Sequence, residues 1–101
     1  MRIITPKRLA QFWAIHPDAE MPLRSWLVHA KRADWQTLVD VQADYPHADL
    51  VGDCIVFNIG GNKYRLIVKA KYRTHCIFIR AVLTHKEYDR GKWKDDCYCK
   101  T

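Results

Sequence analysis

At Cys54 the apolar residues stop recurring at helical spacing and begin to alternate, and that change of period dictates a sheet. The run Cys54–Ile59 meets Tyr64–Tyr72 across Gly60-Gly61, a pair suited to the positive φ angles of a tight hairpin. Tyr64–Tyr72 in turn meets Cys76–Leu83 across Arg73–His75. Pairing Tyr72 with His75 sets Lys71 opposite Cys76, Lys69 opposite Phe78, Ile67 opposite Arg80 and Arg65 opposite Val82. In that register one face carries Tyr64, Leu66, Val68 and Ala70 with Ile77, Ile79, Ala81 and Leu83, and the glycine turn adds Ile55, Phe57 and Ile59. The opposite face holds Arg65, Lys69, Lys71 and Arg80 among Ile67, Phe78 and Val82. A slip of one residue mixes the two sets, so the pattern itself fixes the register.

The apolar face needs a cover, and the first half of the chain supplies helices. Ile3-Ile4 predicts a short N-terminal strand. Thr5 as N-cap and Pro6 as first helical residue then open a helix that ends by Pro17, with Leu9, Phe12, Trp13 and His16 along one side. Pro22 opens a second helix with Leu23, Trp26, Leu27 and Ala30 at the same spacing. Asp34 reads as the N-cap of a third, containing Trp35, Leu38 and Val39 and running to Tyr45-Pro46. Past the strands, Thr84 followed three residues later by Glu87 is a capping box, so a short helix starts there and stops near Gly91. His85 and Tyr88, three apart, share a side of it. The tail from Gly91 to Thr101 shows no pattern beyond its aromatics and cysteines. The expectation is one α+β domain over residues 1–101, with N-terminal helices packed on one face of an antiparallel sheet and the basic face left for solvent or a partner.

Charge points to the partner. The net value is +6, yet residues 1–53 carry six cations and seven acids, and residues 87–101 carry four of each. The excess belongs to residues 54–86, which hold Lys63, Arg65, Lys69, Lys71, Arg73, Arg80 and Lys86 and no acid. A solvated surface normally mixes signs, so an acid-free stretch suggests a polyanion: RNA, DNA or an acidic protein. A chain that is 49% hydrophobic buries too much to be disordered. With no apolar run of membrane-spanning or signal-peptide length, the expectation is a cytoplasmic protein without a membrane partner.

Other chemistries find little footing. With no secretion signal, and with Cys54 and Cys76 inside apolar runs, all four cysteines are expected to be free thiols. Cys97-x-Cys99 has the wrong spacing for a zinc knuckle, so neither metal nor cofactor is expected. His16, His29, His47 and His75 show no catalytic or ligand spacing. Gly60-Gly61-Asn62 is too short for a nucleotide-binding phosphate loop. There is no nucleophile elbow and no spaced pair of carboxylates. What remains is the end of the basic face, where the helix begun at Thr84 emerges four residues after Arg80, so that guanidinium, imidazole and phenol can converge on one phosphate.

The same residues carry a resemblance. Val56-Phe57-Asn58-Ile59-Gly60-Gly61-Asn62-Lys63-Tyr64-Arg65-Leu66, followed by Ile79-Arg80-Ala81-Val82-Leu83-Thr84-His85-Lys86-Glu87-Tyr88-Asp89, resembles the HigB group of the RelE/ParE toxin superfamily. The opening Ile3-Ile4-Thr5 before a helix is similar too, and the likeness fades after Arg90. It implies a microbial RNase-like toxin fold and a ribosome-dependent endoribonuclease that cuts translated messenger RNA. It also implies a HigA-type antitoxin, with operator DNA reached only through that antitoxin. Two other readings fit the same residues: a ParE-like toxin that inhibits DNA gyrase without cutting RNA, and a non-catalytic RNA- or ribosome-binding module.

Metal-free RNA cleavage needs a base for the 2′-hydroxyl, cations for the phosphorane and an acid for the leaving 5′-oxygen. Arg65 is the candidate for the phosphate, because guanidinium binds its oxygens as a fork, with Arg80 assisting. His85 can serve as base or acid near neutrality. Tyr88 is the second proton-transfer group or a surface on which a base stacks. Lys63, Lys69, Lys71 and Arg73 are expected to track the RNA backbone, with Lys86 beside them at a position where many relatives carry a small residue.

Overall fold

The computed structural model describes residues 1–98. In chain order the elements are β1 (Arg2–Ile4), α1 (Lys7–Ile15), α2 (Glu20–Arg32), α3 (Leu38–Asp44), β2 (Asp49–Val51), β3 (Cys54–Ile59), β4 (Tyr64–Lys71), β5 (Cys76–Thr84), α4 (His85–Arg90) and α5 (Lys94–Tyr98). The fold is α+β, a five-stranded sheet in the order β1-β5-β4-β3-β2 with helices packed against it. All its pairings are antiparallel except that of β1, which lies parallel to β5. The alternating residues of β3, β4 and β5 thus form the centre, and the two three-residue strands line its edges.

The inner face carries the main core. Ile55, Phe57 and Ile59 of β3, Tyr64, Leu66 and Val68 of β4, and Ile77 and Ile79 of β5 pack against Leu9, Leu23, Trp26, Ala30, Trp35 and Val41 from the helical half. Each of these large side chains contributes about 1.5–3 kcal/mol by leaving water, which is why the helices sit on this face. The aromatic stripes of the N-terminal half are spent here, with Trp26 edge-on to Phe57.

Several local expectations are corrected. Thr5 does not cap α1; it takes a positive φ of 64°, and Pro6 occupies the cap position without a side-chain bond. The second helix begins at Glu20, two residues before Pro22, after a 3-10 turn over Pro17–Ala19. The third begins at Leu38 rather than beside Asp34, because Trp35 turns inward and donates its indole N–H to Asp44.

The larger correction concerns register. Lys71 faces Cys76 and Lys69 faces Phe78 as expected, but a bulge follows. Val68 pairs with Ile79 and Ile67 with Ala81, so Arg80 is an extra residue with no partner, and Arg65 faces Leu83 instead of Val82. Beyond the bulge the faces exchange. Val82 joins the main core, while Ala81 and Leu83 turn to the outer side.

That outer face is not an open basic surface. Cys54, Val56 and Ile67 form a second apolar cluster beneath Trp93 and Cys97, with Val51, Ala81, Leu83 and Tyr88 at its margin. The tail in which the sequence showed no pattern folds back over the sheet as α5. It is fastened by a Cys54–Cys97 disulfide, which overturns the expectation of four free thiols; Cys76 is a free cysteine, and Cys99 lies outside the described residues. The Asp53 N–H also donates to the Cys97 carbonyl at 2.8 Å. Gly52 is what allows this approach, since it takes a φ of +57° and a Cβ there would collide with the Cys97 carbonyl.

Candidate active site at the end of the outer face

The capping box at Thr84 builds one corner of the site. Thr84 Oγ1 accepts from the Glu87 N–H at 3.3 Å, and the Thr84 N–H donates to Glu87 Oε1 at 3.0 Å. This reciprocal pair fixes the point at which β5 becomes α4, so His85 is the first residue of the helix and Tyr88 follows on its next turn. Since Tyr64 pairs with Thr84, the neighbouring Arg65 on β4 lies alongside that junction.

Arg65 is held by the turn that precedes its strand. Its Nη1 donates to the carbonyls of Asn62 at 3.1 Å and Tyr64 at 3.2 Å. Its Nη2 stands 3.4 Å from His85 Nε2. A guanidinium only donates, so this contact is a hydrogen bond when Nε2 carries no proton. The guanidinium carbon lies 5.2 Å from the centre of the Tyr88 ring, within cation–π range. Tyr88 stacks in turn on Trp93, with centroids 4.9 Å apart and planes within 15°. His85 is exposed, while Arg65 and Tyr88 are half-buried, so a phosphate can reach all three from solvent.

Arg80, named with them from sequence, is not part of this group. The bulge directs it to Asp96 of α5, where Nε and Nη2 each lie 2.7 Å from a carboxylate oxygen. Lys69 is drawn to the same place, donating to the Asp96 carbonyl at 2.9 Å. The hydrogen bonds from Arg80 hold the Asp96 carboxyl below its ordinary value, against the opposing effect of burial. Two cations expected to face RNA are thus engaged within the protein.

The remaining cations spread along the surface. Lys63 pairs with Asp18 at 3.1 Å, and Tyr64 donates its hydroxyl to the same carboxylate at 2.6 Å. The Tyr64 hydrogen bond, with Lys63 second, lowers the Asp18 pKa, and the same hydrogen bond to Asp18, with burial second, raises that of Tyr64. Lys71 stands 5.6 Å over the Phe78 ring, Arg73 lies in the exposed turn after β4, and Lys86 is exposed on α4. Among the described residues no cluster of three His, Cys, Asp or Glu could hold a metal ion. No described helix is long and apolar enough to cross a membrane.

Trp93 and Asp96 are the residues that sequence reasoning missed. The signal lay in the outer face, which mixes Val56 and Ile67 with its cations and therefore needs an apolar cover, and in the tail, where Trp93 and Cys97 stand four apart at helical spacing.

Comparison with known proteins identifies the family. A family model described as HigB_toxin, RelE-like toxic component of a toxin–antitoxin system, matches residues 19–91, which include Arg65, His85 and Tyr88. The chain is 47% identical over 92 residues to the mRNA interferase toxin HigB of Escherichia coli, covering 88% of each chain. The same identity and coverage hold for the mRNA interferase HigB of Shigella flexneri.

Proposed function

This chain belongs to the HigB family of RelE-like toxins, the toxic component of a toxin–antitoxin system, and from that premise we propose that it is a metal-independent endoribonuclease that cuts messenger RNA on the ribosome. The observation that carries the reading is the meeting of Arg65, His85 and Tyr88 at the end of the outer sheet face. Close relatives bear the name mRNA interferase, which supports the same substrate.

In this mechanism the RNA supplies its own nucleophile. His85, exposed and with Nε2 3.4 Å from the Arg65 guanidinium, gives up that contact and takes the proton of the 2′-hydroxyl as that oxygen attacks the adjacent phosphorus. Negative charge grows on the non-bridging oxygens, and Arg65 meets it with a guanidinium already held by two backbone carbonyls. The Tyr88 ring is taken up by Arg65 and Trp93, which leaves its hydroxyl to donate a proton to the departing 5′-oxygen. The products are a 2′,3′-cyclic phosphate and a 5′-hydroxyl. Lys63, Lys71, Arg73 and Lys86 steer the RNA backbone, whereas Arg80 and Lys69 hold α5 through Asp96. Cleavage takes place in the cytoplasm, on messages held by ribosomes, and is restrained by a HigA-type antitoxin through which the pair reaches its operator DNA.

Primer extension on translated and ribosome-free copies of one transcript tests this reading. Cuts confined to the translated copy are the expected result. Intact messages in growth-arrested cells would refute it, and a loss of DNA supercoiling in the same cells would point to gyrase instead.

A further inference from the structure

We propose that Trp93 is a positioning residue for cleavage, holding the Tyr88 ring against Arg65. The proposal rests on the nuclease reading above. Trp93 makes two distinct contacts with the same residue. Its indole stacks on the Tyr88 ring at 4.9 Å, and its Nε1–H donates to the Tyr88 carbonyl at 2.9 Å. One contact sets the plane of the ring; the other ties down the last turn of α4. An aliphatic side chain could fill the same space but could do neither.

Trp93 can hold Tyr88 only if it is itself held, and it is. It is 8% exposed, and it shares the second cluster with Cys54, Val56, Ile67 and Cys97. The helix that follows it is pinned by the Asp96 fork to Arg80, by Lys69 on the Asp96 carbonyl and by the Cys54–Cys97 bond. The support therefore runs from the outer sheet face through Trp93 to Tyr88, and from Tyr88 to Arg65 and His85. A ring without this backing samples several χ1 wells, and a misplacement of about 1 Å in a reacting group costs up to about 100-fold in rate.

The test is single-turnover cleavage of ribosome-bound message by wild type, Trp93→Leu, Trp93→Phe, Tyr88→Ala and the Trp93→Leu/Tyr88→Ala double variant. Trp93→Leu should lower the rate at saturating message by about 10- to 100-fold, with the half-saturating concentration changed less than about threefold. Trp93→Phe, which keeps a stacked ring, should recover most of that loss. In the Tyr88→Ala background Trp93→Leu should have no further effect on rate, although it still lowers the melting temperature. A folded Trp93→Leu protein that cuts at the wild-type rate would overturn the proposal, as would a loss that persists unchanged in the Tyr88→Ala background. If Trp93→Leu does not fold, the Tyr88 ring protons decide. They should be shifted upfield by the indole in wild type and less so in Trp93→Phe, and resonances at free-tyrosine positions would overturn the proposal. A wild-type chain that cuts no message would instead bring down the nuclease reading, and the positioning role with it.

Discussion

Replacing Arg65 by Ala separates chemistry from stability, because the two losses differ in size. The side chain is half-buried, and its guanidinium bonds two carbonyls of its own turn through one nitrogen. In that partly exposed setting the shared bond is worth about 0.5–1.5 kcal/mol, and the contact over Tyr88 adds about 0.5–1 kcal/mol. The fold should therefore lose about 1–2 kcal/mol, a small part of the roughly 5–15 kcal/mol typical of such proteins. At about 4–8 °C per kcal/mol for a chain of this size, the melting temperature should fall by roughly 5–15 °C. Cleavage should fall much further. Removing one donor that meets developing charge costs about 100- to 1,000-fold, while binding to the ribosome should change little because Lys63, Lys71 and Arg73 remain. Arg65→Lys keeps the charge but not the planar fork, so it should stay about tenfold below wild type. Single-turnover cleavage of ribosome-bound message, paired with a thermal melt, measures both quantities. A folded Arg65→Ala protein that cuts within about threefold of the wild-type rate would remove Arg65 from the chemistry and refute the reasoning.

Thr84→Ala removes the Oγ1 arm of the capping box and leaves the backbone N–H on Glu87 Oε1, so it should cost about 1 kcal/mol in a denaturant titration and slow cleavage through His85, the next residue; unchanged cleavage in a destabilised protein would show that the α4 start does not set the imidazole. The Cys54–Cys97 bond closes a separation of 43 residues, so reduction or Cys97→Ser should cost about 4 kcal/mol by chain entropy. Both sulfurs are fully buried, so reduction of the native protein should be slow, and rapid loss of the Cys54–Cys97 peptide from a non-reducing digest would contradict this packing. The lowered Asp96 pKa means the folded state binds fewer protons there than the unfolded chain. Its contribution is therefore complete above the ordinary value of 3.8 and lost as pH falls through the lowered one. Asp96→Asn should flatten the acid limb of a stability–pH curve, and an identical limb in the variant would refute the linkage.

How much of this was legible in the sequence depended on whether the pattern was local. The alternation in Tyr64–Tyr72 set the inner face of β4 correctly, because Tyr64, Leu66, Val68 and Ala70 form an unbroken apolar set while the intervening positions carry Arg65, Lys69 and Lys71. The capping box was equally legible, since Thr84 and Glu87 satisfy each other within one turn. The bulge was not. It puts Arg80 out of the ladder and exchanges Val82 with Ala81 and Leu83, yet these are small or medium apolar residues that fit either face. The cover of the outer face was hidden for a different reason: Cys54 and Cys97 meet at a Cα separation of 5.2 Å across 43 residues, and neither flanking run announces the other. At the site, Arg65, His85 and Tyr88 could be grouped because they flank one strand–helix junction. Arg80 was misplaced by the bulge, and Trp93 was missed because its role depends on the return of the tail.

In the proposed mechanism this toxin cuts message by turning the RNA's own 2′-hydroxyl on the adjacent phosphate, with Arg65, His85 and Tyr88 around it. The most direct measurement compares two ribosome-bound messages that differ only at the cleaved nucleotide, one carrying ribose and the other 2′-deoxyribose. The ribose message should be cut to a 2′,3′-cyclic phosphate and a 5′-hydroxyl, and the deoxy message should not be cut at that position. Cleavage of both messages at the same rate would contradict this mechanism.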